Sequence, residues 1–255
     1  MRRRSLLAAL AAAPTAGCTG VGRQAGDAGR TGGGTTDDAP SLAETGYPPS
    51  ICETEPKSDP GIYAIDDPAV GDDWSGLNPD DRYGSEGSLV DDRTVIGVEY
   101  EGRVRAYPLS IVWHHEIVND HLGGPILVTY CPICRSGMVS ERRIGGAVPT
   151  FEVTGELWRP PGEYTGVSEA QNRTFGVDET EGERTDVHDA ENLVLVDDTT
   201  GSYWSQLLGQ AICGPEKGMR LTTFPGSVAT WGEWRAEHPD TDVLLPPPYS
   251  GTVQP

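Results

Sequence analysis

The feature that most constrains the fold is a hairpin in the middle of the chain that carries histidines and cysteines. Residues 113–120 lead into a short polar stretch with two glycines, and an apolar run then leads into Cys131-Pro132-Ile133-Cys134. Such a stretch between apolar segments is typical of a turn. If paired residue numbers add up to about 245, His114 lies opposite Cys131, roughly 5 Å away at Cβ. A shift of one residue would place His115 beside Cys131 instead.

Short strand-like runs dominate the rest of the chain. Residues 94–100 and 103–107 flank Glu101-Gly102 and predict a tight hairpin. Further runs of this kind occupy 126–130, 137–142, 150–154, 193–196 and 202–206, whereas helix is expected only near 108–113 and from Ser227 to 237. The sequence therefore predicts a mainly β fold, barrel- or sandwich-like, built from antiparallel hairpins with a few short helices. A thioredoxin-like fold is disfavoured because no helical pattern follows the Cys-x-x-Cys motif.

The first residues have the pattern of an export signal. Three arginines, Arg2 to Arg4, precede a short apolar run, and small residues then lead to Cys18. This pattern predicts a signal peptide over residues 1–18, with paired arginines as in twin-arginine signals and Cys18 as a lipidation site. We expect an exported protein, held at the outer face of the cytoplasmic membrane by its lipid alone. The alternative is cleavage of the signal peptide near this point that leaves Cys18 as an unmodified thiol.

Composition divides the remainder into a tether and a domain. Residues 19–47 are rich in Gly, Thr, Asp and Ala, which favours a flexible tether. Residues 48–250 are long enough for a single β-rich domain with its own hydrophobic core.

The net charge of −20 restricts the class of partner. Only Lys57 and Lys217 are lysines, and an acidic, lysine-poor surface favours a salt-adapted protein of haloarchaeal type over an ordinary acidic exported protein. The charge argues against nucleic-acid binding, and no phosphate loop or dinucleotide fingerprint indicates a nucleotide cofactor.

Several motifs, in order along the chain, resemble the domain-of-unknown-function 3179 family (DUF3179). They lie at 62–68, 95–98, 105–108, 115–120, 129–134, 200–206, 214–215 and 230–234. The resemblance implies an exported or surface protein of bacteria or archaea and supplies no activity. The family's histidine, just before Glu-Ile-Val-Asn-Asp, falls on His115, which favours the shifted register with a bulge near Trp113.

One segment departs from the family pattern. Residues 157–191 stand where only a few residues are expected, and they are rich in Glu, Gly, Thr and Pro. We interpret them as a surface insertion, in which Asn172-Arg173-Thr174 forms an N-glycosylation sequon at Asn172.

The hairpin predicts a site for a soft transition metal. Thiolates from Cys131 and Cys134 with imidazole from His115 suit Cu(I) first and Zn(II) second, since a single Cys-x-x-Cys gives a zinc ribbon only half its ligands. Candidates for a further ligand are His114, Cys213, Met138 and Met219, and candidates for hydrogen-bond partners that orient the ligands are Glu116, Asn119 and Tyr130.

Two other interpretations of the cysteines stay open. Cys131 and Cys134 could form a reducible disulfide in a thiol–disulfide redox protein, or a structural disulfide in a domain with an interaction role. Cys52 and Cys213 are expected to pair as a structural staple. A hydrolase triad of Ser202 or Ser205 with His115 and Asp120 is disfavoured, because neither serine lies in a Gly-x-Ser-x-Gly elbow. The sequence indicates neither a reaction nor a protein partner.

Overall fold

Three β-sheets form the part of the chain that the structure, a computed structural model, describes: residues 52–53, 60–84, 89–158 and 192–253. The elements are β1 (Ile65–Asp67), β2 (Val70–Gly71), a short 3-10 helix (Asp81–Tyr83), β3 (Thr94–Tyr100), β4 (Arg103–Pro108), α1 (Leu109–His115), β5 (Ile117–His121), β6 (Pro125–Cys131), β7 (Ser136–Glu141), β8 (Phe151–Trp158), β9 (Asn192–Asp197), β10 (Tyr203–Ser205), β11 (Gln210–Cys213), β12 (Gly226–Thr230), α2 (Trp231–Glu237), β13 (Asp242–Leu244) and β14 (Gly251–Thr252).

Most strand pairs in these sheets are antiparallel. The first sheet has the order β14-β1-β5-β6-β7, the second β12-β3-β4-β13-β2, and the third β11-β10-β9-β8. Two pairs, β1 with β5 and β4 with β13, are parallel. The mainly β fold with few short helices that the sequence predicts is therefore confirmed.

The first sheet separates two hydrophobic cores. Successive side chains of a strand point to opposite faces, so β5 and β6 contribute to both cores. Val118, Ile126 and Val128 belong to the first core, shared with the second sheet, whereas Ile117, Leu127 and Cys131 belong to the second core, shared with the third sheet. Burial on both faces explains why residues 126–128 form a continuous apolar run rather than an alternating one.

The two α-helices add side chains to the first core. α1 buries Ile111 and Val112, and α2 buries Trp231 and Trp234. No helix in the described ranges is long and apolar enough to cross a membrane.

α2 begins later than the sequence predicts. Thr230 caps it: the Thr230 hydroxyl accepts from the Glu233 amide while the Glu233 carboxylate accepts from the Thr230 amide. This capping box satisfies two backbone N–H groups that would otherwise lack partners. Ser227, the predicted start of the helix, instead lies in β12, where it pairs with Gly97 of β3.

The central hairpin has the shifted register that the family motif favours, one residue away from the pairing that adds up to 245, although His115 itself lies in α1 and does not pair with Cys131. β5 and β6 pair Ile117 with Thr129 and His121 with Pro125, because the turn contains three residues and Gly123 takes a left-handed φ of 71°. The predicted pairing of His114 with Cys131 is therefore wrong. In place of a bulge near Trp113, the chain forms α1, which ends where Glu116 takes a φ of 58°.

A disulfide joins Cys52 to Cys213 at the end of β11, across a sequence separation of 161 residues. This is the pair that the sequence indicates as a staple. The predictions for Cys18, for the tether over 19–47 and for Asn172 concern residues outside the described ranges, as does most of the 157–191 segment.

Candidate functional site

The two cysteines of the Cys-x-x-Cys motif are joined in the turn between β6 and β7. The Sγ atoms of Cys131 and Cys134 form a disulfide, and the Cys134 amide donates a hydrogen bond to Cys131 Sγ at 3.1 Å. Both side chains belong to the second core, where Cys131 is fully buried and Cys134 is 9% exposed. Cys134 is thus the less buried of the two cysteines.

A buried glutamine holds this turn against the third sheet. Gln206 Nε2 donates to Thr129 Oγ1 and to the Ser136 carbonyl, both at 3.1 Å, and Gln206 Oε1 accepts from Ser136 Oγ at 2.9 Å. Thr129 and Ser136 lie on either side of the disulfide. Sequence analysis did not assign this role to Gln206; its place in the 202–206 motif was the available signal.

His115 is held by two other partners. Its Nδ1 lies 2.7 Å from the Tyr63 carbonyl oxygen, and its Nε2 lies 2.7 Å from the Tyr83 hydroxyl. Because a carbonyl can only accept, Nδ1 carries the proton and the neutral ring accepts the Tyr83 proton at Nε2. Burial lowers the pKa of His115 and raises the pKa of Tyr83, so both groups stay neutral near pH 7.

The predicted metal ligands do not form one cluster. Among the described residues, no group of three or more His, Cys, Asp or Glu side chains is arranged to hold a metal ion. His115 ends α1 and contacts Tyr83, whereas Cys131 and Cys134 face the second core. His114 is exposed, with Nε2 3.2 Å from the Arg82 carbonyl. Metal binding by His115 and the two cysteines stays a prediction that requires reduction of the disulfide and rearrangement of the histidine.

Glu116 is the buried acid next to this histidine. It is 4% exposed. Its backbone carbonyl accepts a 2.8 Å hydrogen bond from the amide of Tyr130, the residue before Cys131. Burial raises the pKa of Glu116 from 4.5 to about 7. A carboxyl group with this pKa can both take up and release a proton at neutral pH.

The other predicted site residues lie in different parts of the fold and do not all meet in one site. Asn119 joins the first sheet to β8, since its amide donates to the Phe151 carbonyl and accepts from the Phe151 amide. Tyr130 packs against Trp113, with ring centroids 6.1 Å apart. Met138 packs against the second core, the cluster that includes Cys131 and Cys134. Cys213 is bonded to Cys52.

A cleft of about 500 Å³ begins at the cysteine turn and runs to β12. Its lining includes Tyr130, Arg135, Met138, Leu207, Phe224 and Val228. Arg135 directly follows Cys134, so the cleft and the disulfide share one loop. Sequence analysis missed the cleft because its walls come from segments far apart in the chain.

The motifs of the chain match a known family. Residues 60–160 and 168–251, well over half of the chain, match the family described as "Protein of unknown function (DUF3179)". The chain belongs to this family. No curated protein and no solved structure matches the chain significantly. The DUF3179 match is interrupted at residues 161–167, inside the segment interpreted as an insertion.

The DUF3179 match includes the cysteine turn and its surroundings. Cys131, Cys134 and His115 lie in the first matched range, and Gln206 lies in the second. Cys52 precedes the match, so the Cys52–Cys213 disulfide links the DUF3179 region to the chain before it.

Proposed function

We propose that this protein is an exported thiol–disulfide exchange protein whose reactive pair is Cys131 and Cys134. The observation that carries the proposal is a disulfide closed within one turn, in which Cys131 is fully buried and Cys134 is 9% exposed, next to Arg135 in the lining of a cleft.

A purely structural role explains this disulfide poorly. In the chain-entropy account, closing a loop of four residues stabilises the fold by about 2 kcal/mol, whereas a loop the size of that between Cys52 and Cys213 gives about 5 kcal/mol. The turn is also already fixed by three hydrogen bonds to Gln206. The Cys131–Cys134 bond therefore adds less stability than the Cys52–Cys213 bond, which supports a chemical role.

The geometry gives the two sulfurs different roles in the exchange. A substrate thiolate attacks Cys134 Sγ, a mixed disulfide forms, and the Cys131–Cys134 bond breaks with its electron pair on Cys131. The Cys134 amide, 3.1 Å away, stabilises the Cys131 thiolate as it leaves. A second substrate thiolate then displaces Cys134, so the substrate pair is oxidised while both protein cysteines become thiols.

Export supports the same chemistry. The signal-like residues 1–18, with lipidation at Cys18, would place the domain outside the cytoplasm, where disulfides form and persist. In this proposal the lipid anchor holds the domain at the outer face of the membrane, and the acidic, lysine-poor surface keeps it hydrated in concentrated salt.

The test compares two variants, each lacking one cysteine of the pair, in reaction with oxidised glutathione. In Cys131→Ser the remaining Cys134 thiol should form a glutathione adduct, detected by mass spectrometry, without denaturant. In Cys134→Ser the rate of reaction of the buried Cys131 thiol should be lower by roughly tenfold or more, because this thiol is shielded from solvent. Equal rates, or no adduct on either folded variant, would contradict the proposal.

A second candidate is Cu(I) binding by the reduced pair. The observation that favours it is the packing of Met138 and Met219 against the same core cluster as Cys131 and Cys134, because copper(I) favours thiolate and thioether sulfur. Zinc is less favoured, since a structural zinc site requires four closed ligands.

Elemental analysis of anaerobically reduced protein should find about one copper per chain after Cu(I) loading. The copper content should be lower in Met138→Leu, and copper should be absent in Cys131→Ser/Cys134→Ser. Unchanged copper content in the double variant would exclude this site.

A further inference from the structure

We infer that the exchange substrate is a protein, bound as an extended cysteine-bearing segment along β12 and in the cleft that leads to the cysteine turn. This inference rests on the proposed function and adds the class of substrate. It follows from the backbone edge of β12, from the apolar side chains at the cleft, and from the single charge in its lining.

β12 provides the backbone groups that an extended segment needs. It is a terminal strand of the second sheet, and within the described ranges no strand pairs with its outer edge. Edge strands are usually protected by charged residues or proline, or by being very short. β12 has five residues, Gly-Ser-Val-Ala-Thr, and carries neither a charge nor a proline. Such an edge can accept a further strand through main-chain hydrogen bonds.

Other sheet edges in the described part of the chain make backbone hydrogen bonds to neighbouring segments. At β7, Val139 accepts a hydrogen bond from Phe224 and Glu141 donates one to Thr222. At β11, Ala211 donates to the Met219 carbonyl, and at β8 the Asn119 side chain binds both backbone groups of Phe151. β12 is thus the accessible edge beside the cleft.

Two apolar side chains at the cleft are the most exposed large hydrophobic residues that the structure describes. Val228 of β12 is 76% exposed and Leu207 is 70% exposed, and both line the cleft. Met138 and Phe224, which are half-buried, line it as well. Exposed apolar residues that converge on one concave surface indicate a binding site rather than scattered surface positions.

The charge of the cleft indicates what the segment carries. Arg135 is the charged side chain in the lining of the cleft, in a protein with a net charge of −20. A cation in a lining without acidic residues favours a segment with an acidic residue near its cysteine and disfavours one with lysine there. Because Arg135 follows Cys134, an acidic residue at Arg135 brings the neighbouring cysteine to the disulfide.

The test separates binding from exchange. The probe is a short, blocked, fluorescent peptide that alternates valine with polar residues, contains one glutamate, and has serine in place of cysteine. Oxidised full-length protein should bind it saturably, and Val228→Asp and Leu207→Asp should each weaken binding roughly tenfold or more. Val148→Asp, at an exposed valine outside the cleft, should leave binding unchanged.

Two further peptides separate the contribution of main-chain pairing from the contribution of charge. Methylation of alternate backbone nitrogens should abolish binding if the segment pairs with β12, and a lysine in place of glutamate should bind more weakly to the wild type but more tightly to Arg135→Glu. Absence of binding, or binding that neither cleft variant changes, would overturn the inference. The glutathione reaction of Cys134 would still proceed in that case, so the two failures are distinguishable.

Discussion

Glu116 is the residue whose ionisation state should most affect the stability of the fold. Burial raises its pKa from 4.5 to about 7, so the folded protein holds a proton that the unfolded chain releases between these pH values. The free energy of unfolding should therefore fall by about 3 kcal/mol as the pH rises from 4.5 to 7 and stay level above it.

The Glu116→Gln variant tests this prediction. Its unfolding free energy, measured by urea denaturation at a series of pH values, should lack the loss that the wild type shows between pH 4.5 and 7. Glu237→Gln, at an exposed glutamate, should follow the wild type. His115 acts in the opposite direction, because its lowered pKa costs stability as the pH falls below 6.5. Since His115 is present in all three proteins, the difference between them isolates Glu116. Identical curves for Glu116→Gln and wild type would show that Glu116 ionises normally.

The chemistry of single residues was easier to predict than their partners. The sequence indicated that Cys131, Cys134 and His115 are candidates, because thiols and imidazole are few in this chain. It could not indicate Tyr83 as the partner of His115, since 32 residues separate them and no pattern links them. Glu116 likewise needed the structure, because its raised pKa depends on burial that the sequence does not specify.

At the scale of elements, helix α2 depends on the cap that also ends β12. Thr230→Ala removes the side-chain acceptor for the Glu233 amide and should destabilise the fold by about 1 kcal/mol. Thr230→Ser keeps the hydroxyl and serves as the matched control. Urea denaturation measures both, and equal stability of the alanine and serine variants would contradict the role of the capping box.

The bounds of a strand could be predicted where alternation and a clear turn mark its ends. The turns and the short helix that connect the strands could not. Thr94–Tyr100 has the bounds that the alternating sequence predicts, because the Glu101-Gly102 turn fixes its end. The residue pattern leaves two registers of β5 and β6 open, because a three-residue turn and a four-residue turn fit the same glycines, and the structure has the shifted register that the family motif favours. The short α1 also extended two residues further than expected, and that extension turned both histidines away from the strand pairing.

At the scale of the molecule, two cores divided by one sheet account for the placement of the site. Cys131 faces the second core, whereas His115 contacts Tyr83 of the first core. Alternation of apolar and polar residues along the strands predicted a mainly β fold. It could not predict which sheet lies between two others, because that arrangement depends on contacts between β5, β6 and strands distant in sequence. The separation of histidine and cysteines follows directly from this layering.

The central claim is that Cys131 and Cys134 exchange electrons while the Cys52–Cys213 disulfide only stabilises the fold. The most direct measurement equilibrates the folded protein in glutathione buffers of graded redox ratio, alkylates the free thiols, and locates them by mass spectrometry. We expect Cys131 and Cys134 to be reduced reversibly and together, while Cys52 and Cys213 stay oxidised in the same buffers, as a pair with no role in exchange should. Reduction of neither pair before the protein unfolds, or reduction of Cys52–Cys213 first, would contradict the account.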